Sequence, residues 1–332
     1  MAVACTLALL APVASAAQDI VFFRIGTGST SGTYFPIGGI IASAISKPPG
    51  SRDCAAGGSC GVPGLIAVAQ STEGSVTNVT GIANGTLESG LSQADVAYWA
   101  YKGEGLFKKS GAIAKLRAIA NLFPESIHLV VHRDSGIESV ADLRGKRISL
   151  DREGSGTRVD ALLILKAYGL TQKDIKVEAQ SAGAAADLLR KGELDGFFMV
   201  VGTPGTAIAD LADESLIRLI PIAGPKADAL RKAYPFFSAD RIASGTYFNV
   251  PATETLSVGA QWLVSADLSE DLIYAVTRAL WEPSTRRLLD NGHPKGRLIT
   301  IDSALDGLGV PLHPGALRFY KEAGLTLPAD AD

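Results

Sequence analysis

The chain has 332 residues, 47% of them hydrophobic and 20% charged, with a formal net charge of -3. A chain of that length can bury more than one core, and units of roughly 100 to 150 residues are the ordinary expectation. Lys and Arg are scattered singly and form no stripe, which argues against nucleic acid as a partner.

Near the amino terminus, Thr6–Val13 form a short apolar run followed by Ala14-Ser15-Ala16, the small-residue pattern cleaved from exported proteins. Residues 1–16 are therefore expected to be a signal peptide, and the periplasm the destination. No later stretch reaches the roughly 18 to 20 apolar residues that span a bilayer, so the mature protein is expected to be soluble. Of three cysteines, Cys5 falls inside the leader, leaving Cys54 and Cys60 in one loop. An oxidising compartment would bridge them. Two thiols with no His or third Cys nearby make only half a zinc site, so no metal is expected there.

From Val21 onward short β-rich runs alternate with helical patterns, the grammar of an α/β protein. Val21–Ile25 reads as a strand, Tyr34–Ile45 as a helix, Leu65–Ala69 as a second strand and Gly74–Asn84 as a second helix. Ala94–Ala97 reads as a short strand; Lys115–Ala120 and Ile127–His132 read as two more, with the first crossing between lobes at the latter. A second α/β unit follows: helix Ser139–Leu143, strand Arg147–Leu150, helix Arg158–Tyr168, strand Ile175–Glu178, helix Gly183–Lys191 and strand Asp195–Val201. Pro204 then opens another helix at a favoured early position. Leu216–Pro221 is a further strand, the return to the first lobe is expected near Gly245, and Ala260–Val264, Asp271–Leu280 and Pro314–Ala323 complete the fold.

Two strand-to-helix turns are rich in Gly, Ser and Thr: Gly26–Tyr34 after the first strand and Gly154–Thr157 at the matching place in the second unit. Such turns aim unpaired N–H groups at one spot, and a helix amino terminus adds partial positive charge, so each is a ready anion site. In open α/β sheets ligands bind beyond the carboxyl ends of the strands, where both turns would lie. The spacing of Gly26, Gly28 and Gly32 misses the dinucleotide fingerprint by one residue and no Lys follows, which argues against a nucleotide. The plain alternative is that the glycines serve tight turns and that Ser29 and Thr157 cap helices.

Nothing assembles an enzyme. His128, His132, His293 and His313 have no metal-ligand spacing or nucleophile partner, no Gly-x-Ser-x-Gly elbow occurs, and the mature chain keeps no free thiol. Asp95 and Asp195 are the candidate buried acids, although a carboxylate at a strand edge more often caps a turn.

The blocks Ile25–Gly39, Glu73–Val76 with Asn78, Gln93–Tyr98, His128–Val131, Gly154–Thr157, Asp195–Gly202 and Pro311–Gly315 occur together in this order. In them the chain resembles TAXI-type receptors, the solute-binding components of tripartite ATP-independent periplasmic (TRAP) transporters. The resemblance implies a two-lobed, type II-like periplasmic-binding-protein fold of the α/β class, each lobe a mixed sheet flanked by helices with a ligand cleft between them. Expected ligands are small carboxylates, among them glutamate and dicarboxylates such as 2-oxoglutarate. Carried over by motif, the ligand-binding candidates are Gly28, Ser29, Thr33, Tyr34, Ser75, Gln93 and Asp95 from the first lobe, and Ser155, Gly156, Thr157, Phe198 and Gly202 from the second. Tyr34 and Phe198 would wall off water while polar groups orient the acid. Arg158 could clamp an anion or point to solvent.

The expected domains are the signal peptide at 1–16, lobe 1 at 17–131, lobe 2 at 132–243, and a return to lobe 1 with the carboxyl-terminal helices at 244–332. The expected partners are a small carboxylate and the TRAP permease subunits, the chain itself acting as a monomer without a cofactor. The same fold could also serve a sensory receptor for such a solute or, less in keeping with the residues, an exported enzyme acting on small acids.

Overall fold

The computed structural model describes residues 19–327. The expected signal peptide, with Cys5, lies outside the described residues.

In the first part of the chain β1 (Val21–Gly26) leads into α1 (Tyr34–Ile45). Short β2 (Ser46–Lys47) and β3 (Val62–Pro63) tie down a loop, and β4 (Leu65–Gln70), α2 (Ser75–Asn84), β5 (Ser89–Gln93) and α3 (Ala94–Lys102) follow. The long β6 (Leu116–His132) leaves this part. The second is built from β7 (Arg147–Ser149), α4 (Gly156–Ala167), β8 (Lys176–Glu178), α5 (Ala182–Arg190), β9 (Gly196–Val201), α6 (Thr206–Asp213), β10 (Ile217–Leu219) and α7 (Pro225–Ala233). β11 (Ser238–Ile242) and the long β12 (Thr253–Ser265) bring the chain back, and α8 (Glu270–Leu280), α9 (Pro283–Gly292) and α10 (Pro314–Glu322) end it.

One sheet runs through both lobes in the order β4-β1-β5-β12-β6-β9-β7-β8, with β10 on β6 and β11 on β12. Within each lobe the outer strands are parallel: β1 with β4 and β5, and β7 with β8 and β9. β12 runs antiparallel to β5 and β6, and β6 antiparallel to β9. The chain therefore passes between lobes inside the sheet, near Pro124–Ser126 of β6 and Ser257–Gly259 of β12, where the partner of β6 changes from β12 to β9. Pro124 has no N–H to give to a ladder and stands exposed opposite Gly259 at this crossing.

Alternation along the strands fills a core on each face of the sheet. In the first lobe Phe23, Ile25, Ile37, Ile41 and Trp262 share one cluster, with Trp262 edge-on to Phe23 at 6.5 Å between ring centroids. In the second, neighbours on β9 point opposite ways: Phe198 packs with Ile148 and Ile164 on one face, Phe197 with Leu189 and Ile208 on the other. Among the described residues no helix is long and apolar enough to cross a membrane.

Several elements differ from the sequence reading. Ala94–Ala97 is helix, not strand: Val96, Ala97 and Ala100 turn inward at helical spacing, and the strand is the preceding Ser89–Gln93, which has no β-branched residue and forms because β1 and β12 flank it. The two strands expected at 115–120 and 127–132 are one, β6. Pro204 stands before the helix, which starts at Thr206 with Gly205 as its N-cap. The helices α7 and α9 and strand β11 were not anticipated. Beyond the return expected at residue 244, Tyr247 and Val250 still pack with Ile208 and Val201 of the second lobe, because β12 carries the return and it starts only at Thr253.

Cys54 and Cys60 form the expected disulfide. It closes a very short loop at the surface, so its effect should be local. Reduction should lower the unfolding free energy by about 2 kcal/mol, read by denaturant titration with and without reductant; a loss of folding altogether would show that this loop braces the first lobe.

Candidate functional site

The parallel strands β1 and β5 of the first lobe and β7 of the second end on the same side of the molecule, and the loops after them meet there. In the first lobe Asn78 fixes them. Fully buried, its side-chain amide donates to the carbonyls of Thr27 (2.6 Å) and Leu91 (2.7 Å), while its oxygen accepts from Thr72 Oγ1 at 2.7 Å. The loops after β1 and β4 are thereby held against β5, with Ser71 Oγ adding a bond to the Gly28 carbonyl at 2.9 Å. In the second lobe Gly154 turns the chain at a φ of +93°, which suits glycine, and Ser155 caps α4 by accepting from the Arg158 amide at 3.1 Å. Thr157 Oγ1 accepts from the Val200 amide at 3.0 Å and ties this turn to β9.

Between the loops lies a cavity of about 60 Å³. Of the candidate residues, Gly28, Ser29, Thr33, Tyr34, Ser75, Gln93, Ser155, Gly156 and Thr157 line it. Three others do not. Phe198 is buried under α4 in the core, and Met199 and Val200 reach the cavity instead, so the wall expected from Phe198 is not there. Gly202 lends its carbonyl to Thr33 Oγ1 at 2.8 Å, and Asp95 lies beneath Gln93 at the start of α3, fully buried. Arg158 turns away, donating to Gln172 Oε1 at 2.9 Å at the exposed surface. Asp195 also lies elsewhere, accepting from the Arg147 guanidinium at 2.5 Å.

Both lobes touch across the cavity, so this is a closed cleft. The Val76 and Thr77 amides, which the first turn of α2 cannot satisfy, donate to the Gly154 carbonyl at 3.0 and 3.1 Å. Gln93 Nε2 donates to Asp160 Oδ2 at 2.7 Å, and Arg152 pairs with Glu73 at 3.0 Å over the mouth. Gly156 allows this approach: a Cβ there would stand 1.3 Å from Gln93 Oε1.

Acids dominate the remaining polar groups. Glu73, Glu125 and Asp151 line the cavity, none of them among the candidates, and Asp160 lies just behind Gln93. Burial pushes Glu125 up to about 8, partly offset by the bond from Tyr34 Oη (2.6 Å) and by Lys295 nearby. Burial likewise pushes Asp151 up to about 6. Asp160 was readable in part: it falls on the buried face of α4 with Thr157, Ala161, Ile164 and Leu165. Glu125 is a buried acid in β6, directly after the exposed Pro124. His128 holds a structural place, bonded to the Ser126 carbonyl at 2.9 Å and to Tyr247 Oη at 3.0 Å, with burial lowering it to about 4. Among the described residues no group of three or more His, Cys, Asp or Glu is arranged to hold a metal ion.

Gly156→Ala tests the closed contact. Each lobe should stay folded, with a change in unfolding free energy under about 1 kcal/mol, because the backbone there is ordinary helix. The radius of gyration from small-angle scattering should rise, and adding Gln93→Ala should restore the compact form. An unchanged profile in the single variant would mean that Gln93 gives way without opening the cleft.

A solved structure from Bordetella bronchiseptica RB50 matches with a TM-score of 0.53 at 14% identity, over 94% of this chain and 84% of that one. At that identity the likeness shows the fold alone, a mixed sheet flanked by helices. Two more distant likenesses are the alkanesulfonate-binding protein SsuA from Xanthomonas axonopodis pv. citri bound to MOPS and PhnD1 from Prochlorococcus marinus in complex with methylphosphonate. The first has a TM-score of 0.49 at 15% identity, over 93% of this chain and 82% of that one. The second has a TM-score of 0.46 at 13% identity, over 81% and 89%. A family model described as NMT1-like matches residues 25–324, from the last residues of β1 to beyond α10 and across every loop of the cleft, and the chain belongs to the NMT1-like family.

Proposed function

We propose that the protein is an extracytoplasmic solute receptor of the TAXI kind, which closes over a small carboxylate in the periplasm and passes it to the membrane subunits of a TRAP transporter. One observation carries this reading: the amino-terminal turns of α1 and α4, from opposite lobes, converge on a single cavity enclosed by cross-lobe hydrogen bonds. Each turn brings backbone N–H groups and a helix dipole suited to an anion. Residues for the role are Ser29, Thr33, Ser155, Gly156 and Thr157 toward the carboxylate, with Tyr34, Met199 and Val200 closing the walls.

Acidic walls and an acidic ligand are compatible because burial changes what the acids are. Glu125, pushed to about 8, is mostly a neutral carboxylic acid at pH 7 and so a hydrogen-bond donor. Its Oε2 accepts from Tyr34, leaving the rest of the group to the cavity it lines. Carboxylates such as glutamate and 2-oxoglutarate are the class we favour.

A thermal-shift screen of protein refolded from denaturant, so that carried-over ligand is lost, tests the reading. Amino acids, dicarboxylates and 2-oxo acids go beside sulfonates, phosphonates and sugars. An acid at about 100 times its dissociation constant should add roughly 2.7 kcal/mol, on the order of 2 degrees or more for a chain of this size. A response confined to carboxylates supports the proposal. A response only to sulfonates or phosphonates would keep the anion cleft and discard the carboxylate, and a response only to sugars would discard both.

A further inference from the structure

Beneath the cavity floor two carboxyl groups from opposite lobes meet away from water. Asp95, at the start of α3 in the first lobe, and Asp160, on the inner face of α4 in the second, are both fully buried. The two side chains stand within hydrogen-bond reach of each other. Gln93 Nε2 supplies one donor, to Asp160 Oδ2, while Asp160 Oδ1 and both oxygens of Asp95 have no well-formed bond to a donor. As two carboxylates they would be a pair of buried like charges with one side-chain donor between them, a strongly unfavourable arrangement. One retained proton turns it into a hydrogen bond.

We propose that the Asp95–Asp160 pair is a proton-binding site assembled by closure: the cleft closes by taking up a proton there and opens when that proton leaves. The inference rests on the solute-receptor reading for its purpose but concerns the motion alone. The two acids belong to different lobes, so opening separates them and returns them toward solvent, where an aspartate titrates near 4. Among the described residues no cation is among the main groups that shift either acid. The groups acting on the pair are Glu125 on β6, Gln93 and the first-turn amides of Asp95 and Val96; Tyr34 on α1 feels the Asp95 charge, and Lys295 acts on Glu125. Burial raises Asp95 to about 6, and burial together with the Asp95 charge raises Asp160 well above the usual range.

The sign follows from those directions. A carboxyl raised in the closed form holds a proton there that the open form has already released, so closing is favoured at low pH. The advantage shrinks as pH climbs from the open-form value of about 4 through the raised closed-form values of the pair, by about tenfold in the closing equilibrium per pH unit for each proton so retained. Exchange of either acid for its amide supplies a permanent donor and removes the dependence.

Small-angle scattering of the ligand-free full chain from about pH 4 to about pH 9 tests this. The wild type should expand as pH rises, while Asp160→Asn should stay compact throughout, with Asp95→Asn as the second variant in case the first folds poorly. A radius of gyration that does not change with pH in the wild type overturns the proposal. So does a pH response that persists in both variants, which would move the titrating group to Glu125 or Asp151. A protein that responds to pH as expected but to no acid in the thermal screen keeps the proton latch and loses the carboxylate; ligand binding with pH-independent compactness does the reverse.

Discussion

Two strands, β6 and β12, run antiparallel to each other through the middle of the molecule, and β5, β9, β10 and β11 each pair with one of them. β5 lies on β12 and β9 on β6, and the parallel strands of each lobe extend outward from there. Because those outer strands run parallel, their carboxyl ends and the loops behind them come together on one side of the crossing. A single sheet shared by two lobes therefore yields one cleft, with a connection of two strands that can bend near Pro124 and Gly259.

The lobes meet both through apolar packing, Tyr98 and Trp99 of α3 against Tyr234 and Phe236, and through polar close approaches at the cleft. At the cleft, carbonyls accept from amides and a hydroxyl: Gly154 from the Val76 and Thr77 amides, Gly202 from Thr33 Oγ1. Contacts of this kind exchange water for protein partners at small net gain, so open and closed forms need differ little in free energy. That is the balance a device that must both hold and release a solute requires, and it makes the glycines at 154 and 156 as consequential as any side chain.

The acids follow the same logic from the other direction. Glu125, Asp151, Asp95 and Asp160 crowd the region where the proposed ligand is itself an acid, which would be self-defeating in water. Removed from water, they hold protons to higher pH than free carboxyls, Glu125 to about 8 and Asp95 and Asp151 to about 6, and the Tyr34–Glu125 and Gln93–Asp160 bonds orient two of them. The proposed receptor thus reads an acid with amides, hydroxyls and neutral carboxyls, and its buried pair links that reading to proton concentration.

Local chemistry determined much of this from the sequence alone. Alternating β-rich and helical runs specify an α/β chain, since periods of two and of 3.6 bury different residues. The Gly-Ser-Thr turns after Val21–Ile25 and Arg147–Leu150 mark where helix amino termini must stand, and Cys54 and Cys60 are too close in the chain to miss each other once oxidised. What only the tertiary structure decided was whatever depends on a partner distant in sequence. Ser89–Gln93 is a strand because β1 and β12 lie beside it, and Phe198 fails to reach the cavity because its face of β9 belongs to the core under α4. Arg158 leaves the anion site for Gln172. Asp160 could be read from its helical face as buried, but that it meets Asp95 of the other lobe is a property of closure, because no local pattern records a contact that exists only when two lobes come together.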